Sequence, residues 1–513
     1  MSTPCDRRAD LIVPAAAVLS FTLACVISSP RKFFRTDEMY SFYFLSDASF
    51  AHMMRALGDT VNAAPPVYFA TGWVWAHLFG SSEVSLRLFS SAGISAGFVL
   101  VWLLLRPIYS GWTAGTGTAL AFCLSQLIRN QNSDARFYGM LVAEVAAAAL
   151  LCHWINTRGA RTRLLVANAA VHATMIMTSY IAFFFSGAVL LAFALWDVAE
   201  RRVSPKKYAS VVAGWLVFVP WIPVFRAQSQ LSSVRYWLAP AGLKGLLEVY
   251  DLELEFFGLA LAAVMAIFLA RLIAAGPRLA AEPAEAVDAT RERSAIAIAI
   301  ALLTVPAGVW IFSHLFTPIF LARYLCPIGV ASAIVFTSIV SRFLPAPRTA
   351  GAGWTWLDLS HAALLAALVA VPVVAARRIP PQPRPWDGDA QLGHPELPIV
   401  VESLHDYLAR NRYAARPDRY FYPLDREVAF TDAAGVNWGA PNEYQNMSGL
   451  ARHYPFPNAV TTDAFLARHR EFLVLESEGT FWSEMRVCND PRYACSPIDA
   501  GGLKATLVRR AGG

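Results

Sequence analysis

Long apolar runs broken by short polar or basic clusters fill the first three quarters of the chain, and the last quarter is largely polar. An apolar run of about 20 residues is long enough to cross a bilayer as an α-helix. The runs predict spans near 11–29, 84–105, 111–128, 137–155, 164–179, 181–196, 208–225, 254–273, 295–314, 318–341 and 359–376. The expected architecture is therefore a polytopic α-helical membrane protein with about 11 transmembrane helices. The runs at 164–179 and 181–196 are short and divided mainly by Ser179 and Tyr180. The first run follows Arg7 and Arg8 and extends from Leu11 to Ile27 without an obvious small-x-small cleavage site, so it reads as an uncleaved anchor.

Between the runs, residues 30–83 are far too many for a turn. Their moderately apolar, aromatic stretches 39–57 and 66–79 suit helices lying in the membrane interface. A second substantial connection covers 226–253. A transmembrane domain over 1–376 is followed by a Pro-rich linker at 377–384, within Ile379-Pro-Pro-Gln-Pro-Arg-Pro, and a mixed α/β domain over 385–513. Within that domain 398–402 and 472–475 are strand candidates and Ser403–Arg410 a helix candidate. No internal repeat stands out, which argues against a transporter built from symmetric halves.

Composition agrees with the pattern: of 513 residues 56% are hydrophobic and 16% charged, with a mean hydropathy of +0.42. A soluble chain would carry about 25% charged residues. The net charge of +6 is spread over loops, without the basic, aromatic-interleaved face that a nucleic acid would need. Its distribution sets the orientation. With the N-terminus in the cytoplasm, Arg106, Arg158, Arg161, Arg163, Arg201, Arg202, Lys206 and Lys207 all lie inside, as do Arg271, Arg278, Arg291, Arg293, Arg342 and Arg348. An odd number of spans then puts the C-terminal domain outside, in the periplasm of a cell with an inner membrane. Cys488 and Cys495 lie close together there, and an oxidising compartment would join them. The other cysteines are scattered, and no metal-ligand spacing is evident, although a divalent metal is compatible with the chemistry.

Three groups of residues bear on chemistry. Arg35-Thr-Asp37-Glu38-Met-Tyr40 follows the first span, and a partly desolvated carboxylate at the outer surface suits a general base. Equally, Asp37 and Glu38 suit the first turn of a helix. Arg129 to Tyr138 form a short outer turn, with Arg129, Asp134, Arg136 and Tyr138 where positive charge runs against the inside bias. Arg323-Tyr324 falls a turn or more inside the outer end of its span. An arginine at that depth costs about 2.5–3.5 kcal/mol on insertion scales, which a partner must offset. A lipid phosphate gripped bidentately is one such partner. Pairing of Arg136 with Asp134 or Glu144, and of Arg323 with a backbone carbonyl, is the structural alternative. Glu144, mid-span, fits a proton relay or a neutral hydrogen-bonded acid.

The order of these pieces resembles the GT-C membrane glycosyltransferases of the protein O-mannosyltransferase and aminoarabinose lipid A transferase type (the glycosyltransferase family 39-like group). The matching stretches are Thr36-Asp-Glu-Met-Tyr40, Ala64-Pro-Pro-Val-Tyr68, Phe79-Gly80, Ser85-Leu-Arg-Leu-Phe-Ser90, Asp134-Ala-Arg-Phe-Tyr138 and Ala322-Arg-Tyr-Leu-Cys-Pro327. The resemblance implies Asp37 as catalytic base, with Glu38 beside it. It implies a polyprenyl-phosphate-linked sugar donor whose phosphate meets Arg136, Tyr138, Arg323 and Tyr324, with Arg129 a further candidate on the same outer turn. The acceptor would be a hydroxyl of a lipid, glycan or protein; no second acidic motif of the eukaryotic mannosyltransferases is present, and no metal ligand set carries over. An oligosaccharide ligase or polymerase of the same fold, and a transporter or flippase, are the competing expectations.

Overall fold

The computed structural model describes residues 4–59, 61–232, 241–250, 288–343, 356–431, 440–476, 482–500 and 503–511. The chain divides into two compact units. The first comprises Met1–Arg31, Pro65–Trp221 and Pro240–Pro380, and the second Lys32–Ala64, Ile222–Ala239 and Pro381–Gly513. The long connection after the first span is thus shared between them.

The protein is a multi-pass helical membrane protein. Eight helices among the described residues are long and apolar enough to cross a membrane: Arg8–Arg31, Glu83–Leu105, Tyr138–Arg158, Ala182–Glu200, Pro205–Ser229, Ala289–Leu315, Ala322–Arg342 and Leu359–Arg378. Two shorter helices, Gly111–Leu124 and Thr162–Thr178, stand at two more of the expected positions. The span expected over 254–273 lies outside the described residues, as do Arg271, Arg278, Arg348 and residues 233–240 and 251–253 of the 226–253 connection.

Two expected spans differ in detail, each for a local reason. The run 111–128 is broken at Ser125, whose backbone turns extended (φ −69°, ψ 112°) and whose hydroxyl accepts from Ile128 N at 3.3 Å to start a second helix, Gln126–Asn132. The run 318–341 begins as a 3₁₀ turn, Ala322–Ile328, before the α-helix Gly329–Phe343. Pro327 lacks an N–H and disfavours a regular helix over the preceding turn. Arg323 and Tyr324 therefore sit in the entry turn of the span rather than within a regular helix.

Small residues set the tightest helix packing. A Cβ on Gly139 would lie 2.0 Å from Ser90 O, and one on Gly93 2.3 Å from Gly139 C, so helices Glu83–Leu105 and Tyr138–Arg158 touch backbone to backbone. Close approach at small residues is how helices associate in lipid, where apolar surface supplies no hydrophobic drive. A carbonyl cannot swing aside as a side-chain tip can. Gly139→Ala is therefore expected to destabilise the solubilised protein by about 1–3 kcal/mol, the cost of overpacking. Gly187→Ala, in open space within a span, is the control and should leave the melting temperature unchanged or slightly raised.

Lys207, one of the basic residues between two expected spans, is buried against Asp197 at 2.5 Å, and Tyr208 donates to the same carboxylate at 2.7 Å. Its charge is consumed in packing. Near the other end of the same unit, Arg31 donates to the carbonyls of Arg377 and Ile379, each at 2.7 Å, tying the first helix to the last.

The second unit carries a six-stranded sheet of β1 (Ile399–Val401), β2 (Tyr420–Leu424), β3 (Ala459–Thr461), β4 (Glu471–Leu475), β5 (Tyr493–Ala500) and β6 (Leu503–Arg510). The order is β3-β2-β1-β4-β6-β5; the first four are parallel and the last two pair antiparallel. Ile399, Val400 and Val401 are all buried, as a central parallel strand requires. Val400 and Val474 pack with Phe465, Phe472, Trp482, Val487 and Val508 in the core. Cys488 and Cys495 are joined in a disulfide that ties the turn before β5 to that strand.

Polar side chains bury in pairs. Arg410 grips Asp389 at 2.8 and 2.9 Å, and Tyr420 donates to the same acid at 2.8 Å. Asp425 accepts from Arg486 at 2.6 and 2.8 Å and from Thr462 at 2.7 Å. Burial alone would raise the Asp425 pKa, but the hydrogen bonds from Arg486, Thr462 and Val428 N outweigh it and hold the carboxyl below its usual range. A depressed folded-state pKa contributes stability that is complete above the unfolded value of about 4 and is lost as pH falls through the folded one. Hydrogen-exchange protection of β2 and β3 should therefore fall below about pH 4. Arg486→Met should weaken the same strands already at neutral pH.

Candidate active site

In the second unit, Asp37 and Glu38 open the helix Thr36–Leu45 and divide two roles between them. Arg35 is extended, and the Glu38 carboxylate reaches back to accept from Arg35 N at 3.4 Å. Glu38 is 7% exposed, and capping is its visible work. Asp37 is half-buried; its carbonyl accepts from Ser41 Oγ at 3.2 Å. Met39, Tyr40, Phe44 and Leu45 of the same helix are buried.

The C-terminal domain holds this helix and the one after it, Phe50–Gly58. The Arg412 guanidinium stacks 3.7 Å above the Phe42 ring. The Tyr413 hydroxyl accepts from Phe34 N at 3.1 Å, and Asn446 Nδ2 donates to the Tyr40 hydroxyl at 3.3 Å. Asp47 pairs with His52 Nδ1 at 2.5 Å and accepts from the Tyr454 hydroxyl at 3.1 Å. Burial, then the Asp47 charge, pushes the Tyr454 phenol well above its ordinary pKa, so it remains a donor. Asp59 takes two hydrogen bonds from Arg452, both 3.0 Å, and pairs with His453 at 2.9 Å. Arg412, Tyr413, Asn446, Arg452, His453 and Tyr454 lie roughly 370–410 positions from the residues they meet in the first outer connection and share no local motif with them, so sequence reading did not pair them.

In the first unit, three of the expected phosphate ligands border the Phe137 ring, and a fourth, Arg323, stands beside one of them. Arg136 is 5% exposed and its guanidinium lies 5.6 Å from the centre of Phe137. Phe137 lies 4.6 Å from the Tyr138 ring and 6.2 Å from that of Tyr324, which is itself 6.0 Å from Tyr138. Arg323 stands 5.8 Å from the Tyr324 ring. The Ser90 hydroxyl donates to Arg136 O at 3.1 Å, anchoring the turn to the neighbouring span. Glu144, one of the alternative partners for Arg136, accepts from Thr178 Oγ1 of the next helix at 2.8 Å.

Arg129 is placed differently. One of its N–H groups is given to Cys123 O at 2.8 Å. It lines a cavity of about 330 Å³ whose walls are Ala24 and Ser28, the helix Gln126–Asn132 with Ser133, and the end of the last span from Pro372 with Ile379 and Pro380 after it. Arg136, Tyr138, Arg323 and Tyr324 do not line that cavity. No three His, Cys, Asp or Glu side chains among the described residues come together as a metal set.

Residues 63–224, about a third of the chain, match the family model described as dolichyl-phosphate-mannose-protein mannosyltransferase. The chain resembles the GT-C membrane glycosyltransferases. The matched stretch contains the Arg136–Phe137–Tyr138 turn and the glycine-packed helix pair. Among solved structures the chain is similar to ArnT from Cupriavidus metallidurans bound to undecaprenyl phosphate. The identity is 13%, the TM-score 0.44, and the match covers 97% of this chain and 98% of that one. It is also similar to the archaeal oligosaccharyltransferase AglB from Archaeoglobus fulgidus, in complex with an inhibitory peptide and a dolichol-phosphate. There the identity is 12%, the TM-score 0.46, and the match covers 92% of this chain and 69% of that one. A comparison with curated proteins finds no match.

Proposed function

We propose that the protein transfers a sugar from a polyprenyl-phosphate-linked donor to an acceptor hydroxyl at the outer face of the cytoplasmic membrane, with its N-terminus inside and its C-terminal domain outside. The observation that carries this reading is the approach of the Arg323–Tyr324 turn to the Arg136–Phe137–Tyr138 turn, with the Tyr324 ring 6.2 Å from Phe137 and 6.0 Å from Tyr138. The two guanidinium groups and two phenols carried by these turns offer donors suited to a phosphate ester. The match of residues 63–224 to a family described by a dolichyl-phosphate-linked donor supports the donor class.

In this mechanism Asp37 takes the proton of the acceptor hydroxyl as its oxygen attacks the anomeric carbon. The bond from that carbon to the phosphate oxygen breaks, its electron pair leaves with the polyprenyl phosphate, and the anomeric centre inverts. The phosphate is already a good leaving group, so a second carboxylate acting as acid is not required, unlike the paired acids of glycoside hydrolases. Glu38 keeps the base-bearing helix capped. Arg136 and Arg323 receive the departing phosphate, and Tyr138 and Tyr324 orient it.

The test is reconstitution in proteoliposomes with a polyprenyl-phosphate sugar and envelope acceptors, followed by product analysis. Addition of one sugar with inverted configuration is expected. Movement of a whole glycan would identify a ligase, and lipid crossing without chemistry would identify a flippase; either would replace this reading.

A further inference from the structure

A second cavity, of about 690 Å³, opens in the C-terminal domain outside the carboxyl ends of β2 and β3. Leu424 and Thr461, the last residues of these parallel strands, border it, and the chain just after them supplies Arg426, Glu427 and Asp463. Another part of the wall is the loop 489–492, which lies between the two halves of the Cys488–Cys495 disulfide. Chain beyond the carboxyl ends of parallel strands is released from ladder pairing, and open α/β sheets carry their ligands on that side. The volume falls within the range of ligand pockets, about 300–1,000 Å³.

The charges of this wall are matched to one another. Arg486 donates to Asp425 at 2.6 and 2.8 Å and to Glu427 at 2.8 Å, and Arg492 donates to Asp490 at 2.6 Å. Arg426 lies over the Phe430 ring at 5.0 Å. Asp463, in the first turn of the helix Thr462–Arg468, is a fourth carboxylate against these three guanidinium groups. An anion would gain little from guanidinium groups already paired and would meet that excess of negative charge. A basic peptide would use the carboxylates and leave the N–H donors of Arg426 and Arg492 idle. An ion pair in a cleft wall presents an acceptor and a donor side by side, and a hydroxyl can serve both because it donates and accepts. Adjacent hydroxyls of a sugar ring have that complementary pattern. Leu424, Leu466, Met485 and Pro491 add apolar surface suited to the C–H face of such a ring. The disulfide constrains the loop that carries Asn489 and Asp490, which lowers the ordering cost of binding.

We propose that this cleft binds an uncharged oligosaccharide, its hydroxyls bridging the paired carboxylates and guanidinium groups and a C–H face resting on the apolar residues. The site shares no residue with the Asp37 helix or with the Arg136 and Arg323 turns, and it requires no transfer chemistry.

Saturation-transfer NMR titration of the full-length protein tests it, in lipid nanodiscs free of glycoside detergent. Mannotriose, maltotriose and chitotriose are the neutral probes, with trigalacturonate and trilysine as the anionic and cationic comparisons. At least one neutral trisaccharide should bind about tenfold or more tightly than either charged probe. Asp463→Ala/Asn489→Ala truncates two exposed side chains of the wall and should weaken that binding about tenfold, the effect of one or two lost hydrogen bonds. Arg136→Gln/Arg323→Gln, expected to disable transfer, should leave it unchanged, so this site and the transferase reading fail separately. A preference for trilysine would mark a site for basic peptides and a preference for trigalacturonate an anion site; either would overturn the proposal. Absence of binding by all three neutral probes would do the same, as would unchanged binding in Asp463→Ala/Asn489→Ala.

Discussion

Asp37→Asn should lower turnover in the reconstituted assay about 10²–10⁴-fold, the usual contribution of a positioned general base. The fold should survive, since the substitution keeps the side chain's size and leaves the carbonyl that accepts from Ser41 Oγ unchanged. Melting temperature and donor affinity should therefore stay close to those of the wild type while kcat collapses. Glu38→Ala should behave in the opposite way. Its carboxylate accepts from Arg35 N, so its loss removes a cap worth about 1 kcal/mol and leaves turnover within a few-fold of normal. Near-normal turnover in Asp37→Asn, with Glu38→Ala inactive but folded, would exchange the two roles. Loss of neither activity would move the base elsewhere.

The staples around the Asp37 helix give the C-terminal domain a physical role. Within the second unit, Arg412 covers Phe42, Tyr413 binds the Phe34 backbone, and Tyr454 and Arg452 hold Asp47 and Asp59. A base on a segment of the first outer connection would otherwise sample many orientations, and misplacement by about 1 Å can cost roughly 10²-fold in rate. On this reading the domain is a clamp on the catalytic helix, whatever else it binds.

The membrane class was legible because bilayer thickness imposes a length of apolar run that few other folds need. The breaks were not, since each depends on a single residue. Ser125 ends a helix inside an unbroken apolar run, and Pro327 turns the entry of a span into a 3₁₀ turn. Residues Asp37, Arg136 and Arg323 drew attention through charge at places where charge is costly, and through their resemblance to a family. Phe137, the ring that links the phosphate candidates, carries no charge and gave no such signal. Arg129 looked equivalent to Arg136 seven positions later, yet it lines a cavity that Arg136 does not reach. Lys207, a basic residue between two spans, is half of a buried pair, a partnership that loop charge does not reveal. Linear sequence reports the energetic cost of a residue well and its long-range partner poorly.

Arg136→Met and Arg323→Met should each lower kcat/KM about 10²–10³-fold, the range seen when one preorganised donor to a developing negative charge is removed. The charge balance of the reaction sets where the loss falls. A polyprenyl-phosphate sugar is a phosphodiester with one negative charge, and the departing polyprenyl phosphate is a monoester approaching two. Guanidinium groups beside that phosphate gain interaction as the bond to the sugar stretches, so they stabilise the transition state more than the bound donor. The loss should thus appear mainly in kcat, with a smaller rise in the donor KM. Lysine at either position should recover part of the charge effect but not a bidentate grip. Tyr138→Phe and Tyr324→Phe remove one neutral donor each and should cost roughly tenfold or less. The double variant Arg136→Met/Arg323→Met should lose less than the product of the single effects, because two groups that share one phosphate are not independent. Strictly multiplicative losses, or a change confined to KM, would mean that the two arginines do not meet the same leaving group.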